Sequence, residues 1–143
     1  MDNGDIEGAI ARLESINDLN PNYPQTNYNL GIAYYKKGAY DKAIKSLEKA
    51  VKLNEKFSEA YYALGVIYEE LSLNMTDKAK KDDSLKKQEN IAKLIEYLKA
   101  SRENYAHYLN VNNDSQDSEN IKPRIESLNN DINHYTSLLR NAS

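Results

Sequence analysis

When the chain is laid against itself at a shift of 34 residues, Tyr28 falls on Tyr62, Leu30 on Leu64, Gly31 on Gly65 and Tyr34 on Tyr68. In the other direction Gly38 falls on Gly4, Ala43 on Ala9, Ile44 on Ile10, Leu47 on Leu13, Leu53 on Leu19 and Asn54 on Asn20. Several independent coincidences at one period mark an internal repeat. In such arrays one unit cannot bury its apolar face alone and must stack on its neighbours.

Apolar spacing then divides the chain into helices. Ile6, Ala9, Ile10, Leu13 and Ile16 share a face over residues 5–19, which stops at Asn20-Pro21-Asn22-Tyr23-Pro24. A second helix over 25–37 ends at Gly38, a typical helix-ending residue. Its partner runs from Asp41 to Leu53, and a further helix covers 58–72. Regularity then breaks. Asn74 to Asn90 is polar and lysine-rich, without apolar periodicity until Ile91, and its path stays open. Lys93–Lys99 aligns with Lys42–Glu48 at a shift of 51, so 17 residues are inserted in the third unit. Ile91, Leu94, Ile95, Leu98, Tyr105, Tyr108 and Leu109 predict an overlong helix over about 85–110. A polar break at Asn112 to Asn120 precedes a last helix over about 119–141, with Pro123 in its first turn.

The stretches Asn27-x-x-Leu30-Gly31-x-x-Tyr34, Ala43-x-x-x-Leu47 and Tyr61-x-x-Leu64-Gly65-x-x-Tyr68 resemble the tetratricopeptide repeat, with its W-x-x-L-G-x-x-Y and A-x-x-x-F pattern. The expected fold is all-α: a helix-turn-helix repeat array, a right-handed α-solenoid with a long third-repeat helix and a C-terminal capping helix. One domain spans 1–143: a partial repeat at 1–23, a full repeat at 24–57, a repeat with an insertion near 72–90 at 58–110, and a C-terminal helix at 119–142. Gly31, Gly65, Ala43 and Ala50 are expected where paired helices come closest. The leading half repeat exposes a flank that a first helix should cover; a piece of a longer array is expected, with cover by another chain as the alternative.

The resemblance implies a concave face lined by the first helices that binds a peptide or helix of a partner protein, within a larger complex. Its register puts Gln25, Tyr28, Ile32, Tyr35 and Lys36, then Glu59, Tyr62, Val66, Glu69 and Glu70, on that face. Tyr28, Tyr35 and Tyr62 would make an aromatic groove suited to an apolar anchor. The competing use of these tyrosines is internal packing against the insertion or the last helix. Chaperone-tail binding is not expected. The family's basic carboxylate holders are replaced by Tyr28, Ile32, Asn29, Glu59 and Ala63. Self-association through the exposed N-terminal flank or the C-terminal helix is the alternative role.

Composition narrows the remaining classes. Twelve Tyr, one Phe and no Trp give rings that pack and still carry hydroxyls. A net charge of −3 argues against a nucleic-acid partner. No Cys excludes disulfides and thiolate metal sites. No apolar run approaches the roughly 20 residues of a membrane span. The sequence reads as a soluble chain, with cytoplasm the favoured compartment and an exported or anchored parent chain the other. Sequons at Asn74, Asn113 and Asn141 are attributed to chance in an Asn-rich chain. Lys78, Lys80, Lys81, Lys86 and Lys87 alternate with acids and read as a solvated loop and helix start. No enzyme, cofactor or metal is expected. His107 and His134 lie on separate helices, Glu69 and Glu70 point in different directions, and phosphate-loop and nucleophile motifs are missing.

Overall fold

The computed structural model describes residues 3–82, 84–112 and 116–142. They form six helices: α1 (Asn3–Leu19), α2 (Pro24–Lys37), α3 (Tyr40–Leu53), α4 (Ser58–Lys81), α5 (Ser84–Val111) and α6 (Asp117–Asn141). Two compact units result, Met1–Leu64 and Gly65–Ser143, with α4 passing from one into the other.

In the first unit, α2 begins with Pro24 in its first turn, where a missing N–H costs nothing. It ends at Gly38, whose φ of 83° is left-handed. The Gly38 N–H donates to the Tyr35 carbonyl and the Ala39 N–H to that of Tyr34, both at 2.9 Å. Two orphan carbonyls are thereby satisfied, and the chain is turned back into α3. Ala43, Leu47 and Ala50 of α3 have no exposed surface. The close approach of Leu47 and Ala43 depends on Gly31: a Cβ there would lie 2.5 Å from Leu47 Cγ and 3.2 Å from the Ala43 carbonyl oxygen. Asn27 stands where the repeat pattern that the sequence resembles has a tryptophan. It is 2 % exposed, and its Nδ2 donates to the Tyr23 carbonyl at 2.9 Å and the Pro21 carbonyl at 3.3 Å. A polar clamp on the turn between α1 and α2 thus replaces an indole.

Helix α1 is tied to α2 by an ion pair between Lys37 and Glu7 at 2.7 Å and by the Tyr34 hydroxyl donating to Glu14. Burial first, then the Glu14 bond and charge, push the Tyr34 hydroxyl up to about 12. A raised folded-state value means that this stabilisation is complete below the unfolded tyrosine value near 10 and is lost as pH rises through about 12. Tyr34→Phe is therefore expected to cost roughly 1–2 kcal/mol at neutral pH. It should also flatten the fall in unfolding free energy between about pH 10 and 12, read by urea titrations at several pH values.

The second unit departs from the sequence expectation in three places. The inserted segment, whose path the sequence leaves open, is largely helical in its described residues, beyond the loop and helix start read for its lysines: α4 runs on to Lys81 and α5 starts at Ser84. Ala79 anchors the extension, packing with Ile91 and Ile95 against Tyr135 and Leu139. Lys78, Lys80 and Lys81 thus stand in the last turn of a helix, where the dipole favours cations. Second, the side chain nearest to Gly65 is not one aligned with Ala43 or Leu47 at a shift of 51. A Cβ on Gly65 would lie 2.6 Å from Tyr105 Cε1, and the Ser101 hydroxyl donates to the Gly65 carbonyl at 2.8 Å. Tyr105 and Ser101 stand to Gly65 as Leu47 and Ala43 stand to Gly31, a shift of 58. The difference from 51 is one heptad, which keeps the same helix face and so is invisible to periodicity. Third, α6 starts at Asp117, so Pro123 lies inside the helix beyond its first turn. It removes the helical bond to the Glu119 carbonyl, and its ring is on the exposed side.

Candidate functional site

Antiparallel α1 and α2 leave a hollow of about 260 Å³ in the first unit. Tyr28, Asn29, Ile32, Ala33 and Lys36 line it from α2, and Asp5, Ile6, Ala9 and Leu13 from α1. The floor is apolar, with the charges Asp5 and Lys36 among its lining residues. Spacing explains the lining: Tyr28, Ile32 and Lys36 follow each other at four residues on one helix face, as do Asp5, Ala9 and Leu13.

Three of the ten residues placed on the concave face by the repeat register, Tyr28, Ile32 and Lys36, therefore meet in one concavity. Tyr28 is held there by stacking on Phe57, with ring centroids 5.0 Å apart. Burial, and then the Glu59 carboxylate, raise its hydroxyl above the ordinary tyrosine value. Gln25 is exposed and donates to Asn29 at 3.1 Å. Tyr35 lies outside the hollow, tilted against Tyr40 at 5.9 Å. Glu59 and Tyr62 are exposed on the first turns of α4, Tyr62 at 38 %.

The other three residues belong to the second unit, and Glu69 has an internal use. Its carboxylate accepts the Tyr105 hydroxyl at 2.7 Å and sits 3.4 Å from Arg124 Nε. The Arg124 guanidinium in turn lies over the Tyr105 ring. Val66 and Glu70 are half-buried on the same helix. Sequence reasoning missed the α1 half of the hollow. The signal was present in Ala9 and Leu13, which match Ala43 and Leu47.

A second, more polar hollow of about 390 Å³ in the first unit is lined by Glu14, Asn17, Asp18, Tyr34, Lys45 and Lys49, among others. Asn17 Oδ1 is buried without a hydrogen-bond partner. Among the described residues no three His, Asp or Glu side chains gather as a metal site would need. No described helix is long and apolar enough to cross a membrane. The His134 ring stands edge-on to Tyr135.

The family described as TPR repeat matches residues 1–38 and 33–72. No curated protein matches the chain.

Proposed function

The chain belongs to the tetratricopeptide repeat family, and from that premise we propose that it docks a peptide or helix of a partner protein on the face of α1 and α2, as part of a larger complex. Repeats of this kind generally mediate protein–protein interaction and are typically non-catalytic scaffolds. The observation that carries the finer reading is the hollow, where Tyr28, Ile32 and Lys36 meet half-open Ala9 and Leu13. An apolar floor with a charge of each sign fits an amphipathic segment that inserts apolar anchors. Gln25, Glu59 and Tyr62 are further exposed contact residues of the same unit in this reading.

Capture of partners from an extract by the tagged chain tests it. Tyr28→Ala combined with Ile32→Lys is expected to lower recovery about tenfold or more, while Lys45→Ala, in the second hollow, leaves it unchanged. Equal recovery from both variants would remove this face as the site.

Self-association is the second reading. The exposure of Ile16 at 50 %, Leu19 at 89 % and Leu138 at 44 % favours it. A monomer by light scattering at the highest soluble concentration would exclude it.

A further inference from the structure

We infer that the second, polar hollow of the first unit binds a small dipolar molecule with a guanidinium at one end and a carboxylate at the other, the chemistry of free arginine. This site is apart from the docking face and goes beyond the docking reading.

Its walls carry opposite charge. Glu14 and Asp18 of α1 stand four residues apart on one helix face, and so do Lys45 and Lys49 of α3. Each wall is a like-charge pair at the spacing where such pairs repel along a helix. The fold relieves neither repulsion across the hollow: Asp18, Lys45 and Lys49 enter no ion pair among the described residues. Glu14 accepts the Tyr34 hydroxyl, which holds that carboxylate at the wall. Acids and lysines that could neutralise each other thus stay apart, and a ligand that satisfies both must span the gap. A molecule such as glycine, with both charges on one carbon, cannot. A cation several bonds from its carboxylate can.

A neutral acceptor identifies the cation. Asn17 is on the same turn of α1 as Glu14 and Asp18, and its Oδ1 is buried with no hydrogen-bond partner. Such an atom is costly until a donor reaches it. A guanidinium brings five N–H donors in one plane, enough to serve the amide oxygen and a carboxylate together, whereas an ammonium is a compact point charge. On the opposite wall Ser46 adds a hydroxyl donor beside the lysines, where a carboxylate would lie. Leu30 and Tyr34 of α2 offer apolar surface to the methylenes between the two ends. A hollow of about 390 Å³ is of the size that small molecules occupy.

A helix fits this hollow poorly. Where α2 seats on α3, the residues that meet are Gly31, Ala43 and Leu47, small or apolar. Here a seated helix would strip water from four charged side chains. Every wall comes from α1, α2 or α3, within the first unit.

Isothermal titration calorimetry of the full chain tests the inference with four probes. They are arginine, agmatine (no carboxylate), γ-guanidinobutyrate (no α-amine) and lysine. One saturable site is expected for arginine and γ-guanidinobutyrate, with agmatine and lysine weaker by about tenfold or more. Lys45→Ala combined with Lys49→Ala should weaken arginine about tenfold and leave agmatine no weaker. Asn17→Ala should weaken arginine and agmatine alike. Circular dichroism verifies each variant, and a folding defect in the lysine variant would weaken both ligands rather than one. No saturation by arginine in the millimolar range would mean that water alone fills the hollow, and would overturn the inference. So would lysine binding as tightly as arginine, or a lysine variant that weakens agmatine as much as arginine.

Discussion

Tyr105→Ala is expected to destabilise the second unit by about 4 kcal/mol, the largest effect of any single substitution considered. The ring has no exposed surface and fills the space beside Gly65, while its hydroxyl is held by Glu69 at 2.7 Å. Alanine deletes the ring contacts and opens a cavity at once. Tyr105→Phe separates the contributions: it keeps the packing and removes a bond to a charged acceptor, for a loss of roughly 1.5–3 kcal/mol. Gly65→Ala probes the same contact from the other side. Its Cβ would lie 2.6–3.0 Å from three ring atoms of Tyr105. A buried ring cannot swing aside as a flexible chain can. Overpacking should therefore outweigh the gain of about 1 kcal/mol in helix propensity. Urea denaturation monitored by circular dichroism reads all three. A loss below about 1 kcal/mol for Tyr105→Ala would mean that the pocket collapses on the smaller side chain.

Leu47→Ala is the second large effect, about 3 kcal/mol for a leucine without exposed surface. Its partner across the helix pair gives a sharper test. Gly31→Ala alone should destabilise, because its Cβ would meet Leu47 Cγ at 2.5 Å and Cδ2 at 2.8 Å. In the double variant the new methyl enters the space that Leu47 vacates. The pair should be more stable than Leu47→Ala alone by about 1 kcal/mol, a coupling that a double-mutant cycle measures directly. Additive losses would place the two residues out of contact.

These two contacts also show what could be read in the sequence. The Leu-Gly pair at 30–31 and the alanines at 43 and 50 identify the helix pair of the first unit, and the structure puts Gly31 against Leu47 and Ala43. The same reasoning found Gly65 but not Tyr105. A heptad slip leaves the buried stripe of α5 unchanged, and Leu94 and Leu98 are buried whichever register holds. Helix content in the insertion was hidden for a related reason. One alanine, Ala79, carries the described packing of the α4 extension, and a single small apolar residue makes no periodic signal. At the candidate site, spacing along α2 was enough to gather Tyr28, Ile32 and Lys36. The use of Glu69 by Tyr105 and Arg124 depends on contacts between distant segments, which spacing along one helix cannot reveal. Asn27 is instructive in another way. Its buried amide does by hydrogen bonding to the Pro21 and Tyr23 carbonyls what the repeat pattern assigns to a tryptophan by bulk.

The central claim is that the face of α1 and α2 receives a segment of another protein. A photo-reactive phenylalanine analogue at position 32, compared with the same group at position 45, tests it most directly in cells that express the chain. The account predicts adducts to another protein from position 32 and none from position 45. Equal adducts from both positions, or none from position 32 in a chain that circular dichroism shows to be folded, would contradict it.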